Sequence, residues 1–183
     1  LANTTGASNT AVGGLALDAN TTSSENTAVG YSALTSNVLG DYCTALGSGS
    51  LSANTNGDFN TGVGRSALTA NTTGTQNTAV GSLSLDANTT GNYNVGVGTN
   101  ALGNNTTASN NVAVGLQALF DNTTGDSNTA LGHQTLANNT TGNWNVAIGD
   151  NALMSAVEAY NNTAIGSNAL EATTSGENTA IGS

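Results

Sequence analysis

Every seventeenth residue from Gly13 to Gly166 is a glycine, ten in all, and each closes a five-residue phrase of the type Asn-Thr-Ala-Val-Gly. Asn26-Thr27-Ala28-Val29-Gly30 and Asn77-Thr78-Ala79-Val80-Gly81 are the clearest copies. Four residues beyond each of these glycines stands a leucine, from Leu17 through Leu34, Leu85 and Leu153 to Leu170. A fixed period of this length is the signature of a repeat architecture, in which each unit is stable only against its neighbours. The chain therefore reads as one stack, residues 1–183, with no internal domain boundary.

Aligned on the glycine, the columns predict local structure. The position before it is always branched and aliphatic, as in Val29, Val80 and Ile148; the position before that is Ala or Gly, and the next is Thr or Val. This period of two predicts a short β-strand, with the Thr/Val and Val/Ile columns on one partly buried face and Ala/Gly on the other. The leucine column is expected to be a second inward anchor, on a second short strand over Gly-x-x-Ala-Leu. The connector, typified by Ala70-Asn71-Thr72-Thr73-Gly74, carries residues that tolerate tight turns. A helix is disfavoured by the glycines, the β-branched residues and the lack of an apolar stripe of helical period. The expectation is an all-β parallel β-solenoid of about eleven units, with Val29, Leu34, Val80, Leu85, Ile148 and Leu153 as members of its structural ladders. At ~4.8 Å per rung such a coil is about 50 Å long.

The phrases Asn145-Val146-Ala147-Ile148-Gly149, Asn111-Val112-Ala113-Val114-Gly115 and Asn162-Thr163-Ala164-Ile165-Gly166 resemble the head repeats of trimeric autotransporter adhesins. They are also similar to repeat arrays of phage and bacterial tail-fibre proteins. The resemblance runs from Asn9 through Gly182. It implies a left-handed parallel β-roll, three chains packed side by side, and a place on a cell or virion surface. The units here are longer than that family's, with the extra residues in the Asn-Thr-Thr-Gly connector. Because residue 1 falls inside a repeat, the sequence is expected to be part of a longer fibrous chain.

Charge limits the partners. The formal net charge is −10, with Arg65 the only basic side chain apart from His133. Binding to a phosphate backbone or an anionic membrane surface needs Lys and Arg, so neither is expected. No apolar run approaches the roughly 18 residues of a membrane-spanning helix. The lone Cys43 stands where every other copy has Asn, and reads as a tolerated substitution rather than a nucleophile. No Ser/His/Asp constellation can be assembled, and His133 occupies a variable column, so catalysis is not expected. Calcium is the one ion weighed: Asp41, Asp58 and Asp126 offer oxygen ligands, but no copy carries the Gly-Gly-x-Gly-x-Asp calcium repeat, and no cofactor is assigned.

Tyr42, Phe59, Tyr93 and Trp144 share the column just before the Asn of the strand phrase. They are the candidate binding residues: exposed rings that stack on sugars or on a partner chain. The Thr-Thr pairs, such as Thr72-Thr73 and Thr123-Thr124, would stack into a threonine array, which is one way a flat solenoid can bind ice. The Asn-Thr-Thr triplets also match the N-glycosylation acceptor pattern, but they recur as turn formers and are read as structural. The sequence thus points to a structural and adhesive fibre segment, a homotrimer with a glycan or protein receptor. The alternatives are an end-to-end filament subunit and an ice-binding solenoid.

Overall fold

A computed structural model of the chain describes residues 3–183. Among them are eleven strands of three residues each: β1 (Thr10–Val12), β2 (Thr27–Val29), β3 (Thr44–Leu46), β4 (Thr61–Val63), β5 (Thr78–Val80), β6 (Val95–Val97), β7 (Val112–Val114), β8 (Thr129–Leu131), β9 (Val146–Ile148), β10 (Thr163–Ile165) and β11 (Thr179–Ile181). They form one parallel sheet in sequence order, each strand pairing with the next. Register follows the repeat: Thr78 lies beside Val95, Ala79 beside Gly96, and Val80 beside Val97. The last unit is one residue shorter, yet Thr163 still pairs with Thr179, so its connector absorbs the deletion. The chain is a β-solenoid with about 17 residues per turn.

One strand forms per turn, not two. The expected second strand, Gly-x-x-Ala-Leu, is a pair of consecutive turns. The Ala33 N–H bonds back to the Gly30 carbonyl at 3.4 Å, and the Asn37 N–H to the Leu34 carbonyl at 3.3 Å. The segment still bonds from rung to rung, as in Leu34 N–H to Ser50 O at 3.0 Å. Within a rung it reverses direction because the leucines adopt left-handed backbone, φ between 50° and 54° from Leu17 to Leu170. A bulky residue is rarely found there. Its side chain is thereby turned inward: every leucine of this column from Leu17 to Leu153 is fully buried.

The strand faces are the reverse of the expected ones. Ala28, Ala79 and Ala147, in the strand centres, are fully buried. Val80 is 38% exposed and Ile148 37%, and Val29 is half-buried. These three form ladders along the outside of the sheet, whereas Leu34, Leu85 and Leu153 form the inner one. The reason is room. One leucine per rung fills the interior, leaving the strand space for a methyl group or less. A Cβ at Gly62 would approach the Ser50 Oγ to 2.5 Å, and one at Gly96 the Ser84 Oγ to 2.6 Å.

Beyond the leucine column and the small Ala, Ser and Gly columns that pack on it, the interior is polar. In the first of two asparagine files, Asn88 Nδ2 donates to Asn71 Oδ1 at 2.8 Å and to the Gly91 carbonyl at 3.1 Å. In the second, the Asn94 N–H donates to Asn77 Oδ1 at 3.0 Å, and Asn94 Nδ2 reaches the Ala108 carbonyl at 2.8 Å. Buried amides are tolerated because each finds partners on the neighbouring rung, and each bond nets about 1 kcal/mol. The first file stops at Ala156, which stands where an asparagine would continue it. The Asn139 Oδ1 there is buried without a partner. Ala156→Asn is therefore expected to stabilise the coil by about 1 kcal/mol, measured as a raised midpoint in chemical unfolding.

Candidate interaction face

The outward sides of the strands make a strip of two columns along the coil, Thr or Val in one and Val, Leu or Ile in the other. No charged residue occurs in either column from Thr10 to Ile181. Eleven strands at ~4.8 Å make the strip about 50 Å long. Period-two alternation located this pair of columns in the sequence but not the side they face. Two residues past the aliphatic column, Tyr31 and Leu116 add further exposed apolar surface.

Two residues ahead of the Thr/Val column lies the aromatic file. Its members sit at a left-handed corner, φ 57° for Tyr42, 56° for Phe59, 58° for Tyr93 and 56° for Trp144. The following residue, Cys43 after Tyr42 and asparagine after the other three, turns inward, so the corner residue itself is pushed into solvent. All four rings are exposed, Trp144 at 61%. Tyr42 and Phe59, on adjacent rungs, are stacked with centroids 4.9 Å apart and planes within 2°. Tyr93 and Trp144 have no aromatic neighbour on the next rung, where Asn110 and Asn161 take the corner.

Other sequence candidates serve the backbone. Asp41 Oδ1 accepts the Ser24 N–H at 2.7 Å, Asp58 Oδ1 the Asp41 N–H at 2.9 Å, and Asp126 Oδ1 the Ser109 N–H at 2.6 Å. Each carboxylate bridges two rungs. Among the described residues no three His, Cys, Asp or Glu side chains gather as a metal-ligand group. Cys43 is buried in the second asparagine file, its backbone N–H bonded to Asn26 Oδ1 at 2.8 Å. Burial is the main influence on its thiol, pushing the pKa up to about 11 and holding the group protonated. His133 Nδ1 meets Asp150 Oδ1 at 2.8 Å on the next rung, with both side chains about half exposed. Such a surface pair is weak.

The two threonines of each connector have different surroundings. The first is held to the next rung: Thr72 Oγ1 donates to Thr89 O, and Thr89 Oγ1 to Thr106 O, both at 3.0 Å. The second is exposed, and Thr73, Thr90, Thr107, Thr124 and Thr141 follow one another on five successive rungs. Of each connector pair, only the second hydroxyl is thus presented freely to water.

Comparison with known proteins identifies no relative. No family model, no curated protein and no solved structure matches the chain. The strip and the aromatic file therefore stand on their own geometry. What they offer is a long, uncharged, methyl-rich surface edged by aromatic rings, suited to burial against another surface.

Proposed function

We propose that this chain is a structural segment of an extracellular or virion surface fibre, a spacer rod that assembles as a homotrimer through its sheet face and presents the aromatic file to a receptor. The observation that carries the reading is the outward aliphatic column, running the length of the coil beside the threonine and valine column. A strip about 50 Å by 10 Å offers roughly 500 Å² per copy, and the exposed Tyr31, Leu116 and aromatic file beside it extend that area towards the ~800 Å² that each partner contributes to a standard interface. The absence of charge from the two strand columns supports association of copies despite the net charge of −10, since no carboxylate on them would have to be desolvated.

Light scattering on a size-exclusion column tests the assembly. A discrete species near three times 17.8 kDa is expected, and the triple variant Val80→Asp, Val97→Asp, Val114→Asp should fall to monomer while keeping its β-rich circular dichroism. A wild-type monomer would overturn the trimer. A growing, polydisperse species would replace it with an end-to-end filament. The receptor role has its own readout: Trp144→Ala or Tyr93→Ala should weaken binding on a glycan array by about tenfold, a loss of ~1.4 kcal/mol of stacking. Unchanged binding would remove the aromatic file from the role.

A further inference from the structure

The connector asparagines are at once ladder members and the first residues of Asn-Thr-Thr acceptor triplets. Asn20, Asn71, Asn88, Asn105, Asn122 and Asn139 all begin such a triplet, and all are fully buried. Both amide hydrogens of the central members are committed. Asn71 Nδ2 donates to Asn54 Oδ1 at 2.8 Å and to Gly74 O at 3.0 Å. Asn105 Nδ2 does the same with Asn88 Oδ1 at 2.8 Å and Ala108 O at 3.1 Å. Asn122 Nδ2 repeats it with Asn105 Oδ1 at 3.0 Å and Gly125 O at 2.9 Å.

The geometry points to a competition for one atom: N-linked glycosylation and closure of the coil exclude each other at these asparagines. In the transfer, the Asn Nδ2–C1 bond of the sugar forms and the bond from C1 to the diphosphate of a lipid-linked oligosaccharide breaks. The lipid diphosphate leaves, and the amide gives up one proton to a base. The product amide has one hydrogen where the ladder uses two, and a bulky hydrophilic sugar where the coil has no space. The unfolded chain is an acceptor at the ladder; the folded chain is not. Acceptor triplets at the exposed Asn104, Asn138 and Asn161 lie outside this competition because their side chains are not in the ladder, whereas Asn3, also exposed, is a ladder member whose Oδ1 accepts from Asn20 Nδ2 at 3.2 Å. The coil therefore has to close before it meets an oligosaccharyltransferase, or in a compartment without one.

The test sets the two orders of events side by side. The folded chain, given solubilised oligosaccharyltransferase and lipid-linked oligosaccharide, is expected to carry no sugar at Asn71, Asn88, Asn105 or Asn122 by glycopeptide mapping. The same chain translated into endoplasmic-reticulum microsomes meets the enzyme while unfolded. It should take sugar at those positions and be digested by protease at least tenfold faster than the folded chain. Microsomes depleted of the lipid-linked donor should return a resistant chain. The variant Thr22→Ala, Thr73→Ala, Thr90→Ala, Thr107→Ala, Thr124→Ala, Thr141→Ala removes all six buried acceptor triplets through exposed side chains and keeps the asparagines, so it should be resistant with donor present. A protease-resistant chain carrying sugar on any of the four asparagines would overturn the inference. So would ladder asparagines left bare in donor-replete microsomes, or a donor-depleted chain that is digested as fast as the glycosylated one.

Discussion

Replacing Gly132 by alanine is expected to destabilise the coil by about 3–5 kcal/mol, the sum of backbone strain and overpacking. Gly132 has φ +139°, a conformation that side chains other than hydrogen rarely adopt. A Cβ there would lie 2.6 Å from the Gly149 carbonyl oxygen on the next rung and 2.7 Å from the Thr135 Oγ1. The carbonyl belongs to the stacked backbone and cannot move without opening the rung. Because each turn contacts only its neighbours, the damage should divide the coil in two, seen as a second step in chemical unfolding and as fast amide exchange around rungs eight and nine. Gly49→Asn is the control. Gly49 has φ +70° and its nearest neighbour across the space, Ser66 Oγ, is 3.5 Å away. Its column elsewhere holds Asn100, Asn151 and Asn168 at φ 55–58°. That substitution should change stability by less than about 0.5 kcal/mol, the usual range for a surface site without special geometry. Equal losses at the two glycines would show that contact between rungs is not what fixes the 17-residue glycine.

Leu85→Ala is expected to cost about 3–4 kcal/mol, and Val80→Ala no more than about 1 kcal/mol in the isolated chain. Leu85 is fully buried and is the only large apolar side chain its turn places inside. The alanine and serine columns around it cannot collapse into the space, because their backbone is fixed by rung-to-rung hydrogen bonds such as Leu85 N–H to Ala101 O at 3.0 Å. Val80 stands on the outer face, 38% exposed. The two residues are both invariant in kind along the repeat, so the ratio of their costs measures directly which ladder is inside. A Val80→Ala loss as large as that of Leu85→Ala, in protein shown to be monomeric, would contradict the arrangement of the faces.

The repeat made the architecture legible. Glycines and leucines in strict register, with asparagines between, could satisfy their backbone and amide groups only by stacking like on like. The strand position was also legible, since β-branched residues alternate with small ones. Which side of the strand faces in was not. Period two separates the faces without orienting them, and a column of valine and isoleucine beside one of alanine and glycine suggests the wrong side when large apolar residues are assumed to lie inside. A signal against that assumption was present in the columns. Serine at 50 and 84 goes with glycine at 62 and 96, while alanine at 33 and 67 goes with alanine at 45 and 79. Compensation in volume between the two columns at these four rungs is what packing against each other would produce and marks both as interior, although Thr135 beside Ala147 shows that it is not strict. The aromatic file was legible as exposed, because Glu25, Gln76 and Asn110 share its column. Its place beside an outward aliphatic strip was not, because that depended on the orientation of the strand.

By itself the sequence determined the period, the parallel stacking, the strand at Thr-Ala-Val, the buried leucine file and the restriction of positive charge to Arg65 and His133. These follow from local preference and from repetition, which gives every residue its own kind as a neighbour. Only the tertiary structure decided the cross-section. It put leucine in a left-handed corner that no propensity favours, turned a predicted second strand into two turns, and sent the branched column outward. The cause is the size of the interior: a 17-residue turn encloses one leucine, two small side chains and two asparagine amides, and whatever does not fit in that area becomes surface.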